Sequence, residues 1–134
     1  PEVSERVIQA FLKRNCDYAS NTIERTYPRG LDTEVISPEA LRRADAEATE
    51  EADREHLTRY IRQRPDRFSL CLVTADRDRS DVRWTVDEEA DLKLVRQIYG
   101  ELDGMDFGYQ DVLSLLEAHP EWTNINRGVE QKAC

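Results

Sequence analysis

Phe68-Ser-Leu-Cys-Leu-Val-Thr74 is a nearly continuous apolar run of strand length. Such a run reads as a strand buried on both faces, which requires helices on either side of it. The sequence around it supplies them. Upstream, Leu57, Tyr60 and Ile61 fall at helical spacing, and the pattern stops before Pro65. Ser37-Pro38-Glu39 opens an earlier helix that runs to about Ala48. Ser suits the N-cap, Pro the first helical position and Glu the first turn. Leu31 to Ile36 alternates as a strand does, with Leu31, Thr33 and Val35 on one face and Asp32, Glu34 and Ile36 on the other. Asp17 to Ser20 is a second short strand candidate, and Pro28 and Gly30 mark the loop between the two. Val3, Val7, Ile8, Phe11 and Leu12 form the stripe of a first helix that ends near Asn15.

Downstream, Val82 to Val86 reads as another short strand, and Asp87 caps a helix with Leu92, Val95, Ile98, Tyr99 and Leu102 on one face. A last helix spans Tyr109 to Ala118 and stops at His119-Pro120, leaving residues 123–134 as a tail beyond a domain of residues 1–122. This order predicts an α/β fold with helices covering both sheet faces. Four short strands make a small sheet, and an amphipathic helix at Val3 normally returns from a preceding strand. Part of the sheet is therefore expected outside these 134 residues.

Nineteen Lys and Arg stand against 28 Asp and Glu, a net charge of −9. The excess is local: residues 38–56 balance to −4, residues 85–106 to −5, and the remainder is neutral. Both acidic surfaces would repel a phosphate backbone, so no nucleic-acid partner is expected. The arginines between Arg59 and Arg67 read as a solvated helix face. No apolar run approaches the about 18–20 residues of a membrane span, so no membrane partner is expected. Three widely spaced cysteines, Cys16, Cys71 and Cys134, argue against a disulfide framework and suit a cytoplasmic setting.

Three stretches carry a family likeness: Arg25-Thr-Tyr-Pro-Arg-Gly-Leu-Asp-Thr-Glu-Val35, Arg54-Glu-His-Leu-Thr-Arg-Tyr-Ile61 and Arg83-Trp-Thr-Val-Asp-Glu-Glu-Ala-Asp-Leu92. In series they resemble the C-terminal half of cytidylyltransferases of the spore coat polysaccharide biosynthesis protein F type, which are similar to the acylneuraminate and 3-deoxy-manno-octulosonate cytidylyltransferases. The resemblance implies a partial three-layer α/β/α sandwich of nucleotide-diphospho-sugar transferase type, lacking the N-terminal nucleotide-binding strands. It also implies CTP and a sugar as substrates of the full-length enzyme, Mg²⁺ as cofactor and a homodimer. The family's Gly-rich nucleotide loop and its Gly-Asp-x-Pro-Leu segment are absent from this sequence.

Within that frame, Asp87 is the candidate metal ligand. In the resembled families the first aspartate of Val-Asp-x-x-x-Asp-Leu lies beside the nucleotide phosphates, and a carboxylate at a strand end is a hard ligand for a hard cation. The same residue is also a good N-cap, and one oxygen can cap while the other ligates. Arg83 is placed to reach a phosphate or a substrate carboxylate. Tyr27, Gly30, Asp32 and Glu34 are sugar-contact candidates: Gly30 permits close backbone approach, and the two acids share a strand face. Paired acids on a strand are also commonly just solvated. Glu55 and His56 are a further candidate pair, equally readable as a helix-surface ion pair, and Trp84 reads as core. Two other functions fit the same pattern. One is a non-catalytic α/β assembly or sugar-binding module. The other is a glycosyltransferase of similar fold using Asp76-Arg77-Asp78 as its metal motif.

Overall fold

The computed structural model describes residues 1–104 and 106–130. Helix α1 (Glu2–Arg14) is followed by strands β1 (Tyr18–Ser20) and β2 (Glu34–Ile36). Then come α2 (Pro38–Glu47), α3 (Glu51–Glu55), α4 (Leu57–Arg62), β3 (Leu70–Leu72), α5 (Glu89–Glu101), α6 (Tyr109–Ala118) and a short 3₁₀ helix (Pro120–Asn124). The sheet order is β2-β1-β3, with β1 antiparallel to β2 and parallel to β3.

The alternation within each strand sorts side chains into two layers. Ala19, Val35 and Cys71 face α1, where Val3, Val7 and Phe11 meet them. Tyr18, Ile36 and Leu70 face α2–α4, where Ala40, Ala44, Tyr60 and Ile61 close the core. Helices thus cover both sheet faces, as the sequence pattern predicts, in the partial three-layer α/β/α sandwich that the resemblance implies. Alanines at helical spacing on α2 let it lie close to the sheet. Its start is also as read: the Ser37 hydroxyl accepts from the Ala40 N–H at 3.0 Å. A third cluster joins α5, α6 and the 3₁₀ helix through Leu94, Ile98, Val112, Leu116 and Trp122.

Three sequence expectations change. Val82 to Val86 is not a strand: a lone parallel bridge, Arg29 to Arg83, stands in its place. Leu31 to Thr33 lie outside β2, which starts at Glu34. The N-cap of α5 is Glu88, not Asp87. Asp91 on the first turn accepts the N–H groups of both Asp87 and Glu88, so the N-cap N–H is satisfied from inside the helix. Within the segment read as a tail, Asn126 is buried and Ile125 packs on the third cluster; residues 131–134, with Cys134, lie outside the described residues. Cys16 and Cys71 are free thiols in the α1 layer, and burial, with Cys71 alongside, pushes the Cys16 thiol up to about 12.

Candidate functional site

The Arg29–Arg83 bridge is the hub of the candidate site. The Arg29 N–H donates to the Val82 carbonyl at 2.9 Å, and the Trp84 N–H donates to the Arg29 carbonyl at 2.7 Å. This brings the Tyr27–Gly30 loop against the segment leading to Asp87. Gly30 has φ +107°, and a Cβ there would lie 2.8 Å from the Trp84 carbonyl carbon and oxygen. Glycine is therefore required twice, for its backbone angle and for the close approach.

Gly30, Asp32, Trp84, Tyr109 and Glu2 line a cavity of about 310 Å³. Trp84 packs edge-on to Tyr109, ring centroids 5.9 Å apart, and the Tyr27 and Tyr109 ring centroids are likewise 5.9 Å apart. Asp32 is held by a bidentate pair with Arg25, at 2.6 and 2.9 Å. That hydrogen bonding, against partial burial, keeps its carboxyl below the usual carboxylate range.

Arg83 lies next to Trp84 but does not line this cavity. Its side chain is 8 % exposed, and its guanidinium grips Asp91 through Nε and Nη2, both at 3.0 Å. Nη2 also reaches the Asp87 carboxylate at 2.6 Å. Asp91 is fully buried and receives a further bond, 2.8 Å, from the Asn126 amide, which donates as well to the Arg83 carbonyl at 2.9 Å. Burial alone would raise the Asp91 pKa. The Arg83 guanidinium, the Asn126 amide and two backbone N–H groups outweigh it and hold the carboxyl far below its usual range. Asp87, by contrast, has a side chain 57 % exposed. The node thus presents one open carboxylate on a buried, charge-balanced base.

Of the residues singled out from the sequence, Gly30 and Asp32 line the cavity, and Arg83 and Asp87 form the adjoining node; Tyr27 does not line it, being buried in the α1 core against Tyr109. Glu34 is not with them: it accepts a hydrogen bond from Tyr18 on the α2–α4 side of the sheet. The shared face expected of Asp32 and Glu34 fails because the strand does not begin until Glu34. Glu55 and His56 lie at the α3–α4 junction, also on that far layer, and are exposed. Asp78 of the Asp76-Arg77-Asp78 stretch caps a local turn at Ser80. Of the four arginines between Arg59 and Arg67, Arg59 and Arg64 pair with Asp53, and Arg67 with Glu47. Sequence reasoning missed Asp91 and Asn126. The capping spacing Glu88-x-x-Asp91 was available for the first; nothing local points to Asn126.

A solved cytidylyltransferase from Leptospira borgpetersenii serovar Hardjo-bovis superimposes with a TM-score of 0.85 over 98% of this chain and 55% of its own, at 21% identity. This chain carries a cytidylyltransferase fold. The spore coat polysaccharide biosynthesis protein SpsF of Bacillus subtilis is 27% identical over 125 residues, 90% of this chain and 51% of its own. That likeness is the one the three sequence stretches carry. An uncharacterized protein of Methanocaldococcus jannaschii is 30% identical over 134 residues, 98% of this chain and 54% of the relative. The chain spans about half the length of these curated relatives. No family model matches it. Among the described residues, no helix is long and apolar enough to cross a membrane.

Proposed function

We infer that this chain is the C-terminal portion of a sugar cytidylyltransferase serving polysaccharide or surface-glycan biosynthesis. The observation that carries the reading is the exposed Asp87 carboxylate on the Arg83 node, set in a cytidylyltransferase fold. In the reaction, a sugar hydroxyl oxygen bonds to the α-phosphorus of CTP. The bond from that phosphorus to the bridging oxygen breaks, pyrophosphate leaves, and the hydroxyl proton passes to base.

Mg²⁺ fits the donor set as a partly protein-bound ion. No group of three His, Cys, Asp or Glu gathers among the described residues, so they form no complete protein cage. Mg²⁺ commonly takes one or two carboxylates and fills its shell with phosphate oxygens and water. Asp87 offers one such carboxylate. When bound, the ion supplies positive charge against the phosphates. Arg83 Nη2 holds the Asp87 carboxylate oriented. Gly30, Asp32 and Trp84 form the rim for the sugar, with the Gly30 backbone packed against the Trp84 carbonyl. The full-length protein is a homodimer in this reading, checked by light scattering.

The test is pyrophosphate release by the full-length protein with CTP, MgCl₂ and either N-acetylneuraminate or 3-deoxy-manno-octulosonate. Asp87→Asn removes the charge from an exposed side chain and keeps an acceptor oxygen for Arg83 Nη2, so stability should change little. Turnover should fall about 10²-fold or more, and the Mg²⁺ requirement should rise. Near-normal turnover in that variant would remove Asp87 from the site. The 134-residue chain alone should stay at background.

A further inference from the structure

We propose that Asp91, seated by Asn126, is a positioning residue that fixes Arg83 and through it the Asp87 carboxylate. This rests on the role given to Asp87 above. Asp91 is fully buried, so it touches no substrate itself. Its two oxygens accept five hydrogen bonds. Oδ1 takes Arg83 Nε and Asn126 Nδ2; Oδ2 takes Arg83 Nη2 and the backbone N–H groups of Asp87 and Glu88. A helix cap would need only the backbone pair, and an ion pair only the arginine.

Joining both functions in one carboxylate holds Asp87 at two points. Its backbone N–H is tied to Asp91 Oδ2 at 3.1 Å, and its side chain is tied to Arg83 Nη2 at 2.6 Å. The bidentate grip fixes the plane of the guanidinium, so the direction in which Nη2 meets Asp87 is set from below. Asn126 closes the arrangement. One amide group donates to both the Arg83 carbonyl and Asp91, so neither end of the arginine can drift without breaking a buried bond.

The experiment uses the full-length protein. Steady-state turnover with CTP and the two sugars above is measured beside the Arg83 Nε–H resonance, which the buried bond to Asp91 should protect from exchange with water. Asp91→Asn should lower kcat about 10-fold or more, leave KM for CTP and sugar within about 3-fold, and shift the resonance with faster exchange. Asn126→Ala, which changes no charge, should do the same to a smaller degree and decides the matter if Asp91→Asn does not fold. An unchanged kcat in folded variants overturns the proposal, as does a fall fully accounted for by the unfolded fraction. If the native full-length protein forms no CMP-sugar, the functional reading fails. The resonance then decides alone, and one unmoved in both variants overturns the positioning role.

Discussion

Two buried aspartates in this chain each hold arginine, and they are built differently. Asp53 on α3 meets Arg59 at 3.2 Å and Arg64 at 3.5 Å, through single contacts to side chains 38 % and 31 % exposed. Arg64 also lies 3.6 Å over the Tyr60 ring, so its position does not depend on Asp53. Asp91 meets one arginine twice, with that arginine itself buried, and adds an amide and two backbone N–H groups. The first is a staple at the edge of a helical layer, with water available to either arginine. The second is a buried node in which one carboxylate serves five donors. Burial of the acid is nearly equal; the fate of the partner after a break is not.

Breaking the two centres should show the difference. Asp91→Ala removes the bidentate partner of the buried Arg83 and strands three N–H donors, so we expect about 3–5 kcal/mol of lost stability. For a chain of this size that is a fall of about 10–20 °C in Tm, readable by thermal melting. Asp53→Ala should cost only about 1 kcal/mol in the same measurement, because Arg59 and Arg64 rehydrate. Equal losses at the two sites would erase the distinction.

Acid sharpens it. An unfolded aspartate titrates near about 3.9, and the folded Asp91 carboxyl lies well below that. Its contribution is complete above the unfolded value and drains away as pH falls toward the folded one. Urea melts at stepped pH should show the native protein losing stability faster between about pH 4 and 2 than Asp91→Asn does. Parallel curves would mean that the node carries no pH-linked stability.

The layers were legible because they rest on local patterns. Phe68 to Thr74, the alternation around Val35 and the Ser37-Pro38 start each report a period or a cap within a few residues. What escaped has longer reach. Val82 to Val86 has strand composition, yet only Arg83 pairs, since Trp84 turns to Tyr109 and Arg83 to Asp91. Asp87 and Asp91 both offered a carboxylate near a helix start; the choice between them was made by a buried arginine eight residues upstream of Asp91. Gly30 and Asp32 share the loop that lines the cavity, whereas Glu34 stands apart because the strand begins there, three residues later than its alternation suggests.

Asn126 has one more consequence. Its amide joins positions 43 residues apart, Arg83 and itself, and encloses α5, α6 and the 3₁₀ helix in a noncovalent lariat. Closing such a loop costs entropy that grows only with the logarithm of its length, so one buried clasp restrains the whole span at little more than the cost of a short turn. Residues 83–126 should then open to hydrogen exchange as one unit, its protection set by a single side chain at the far end.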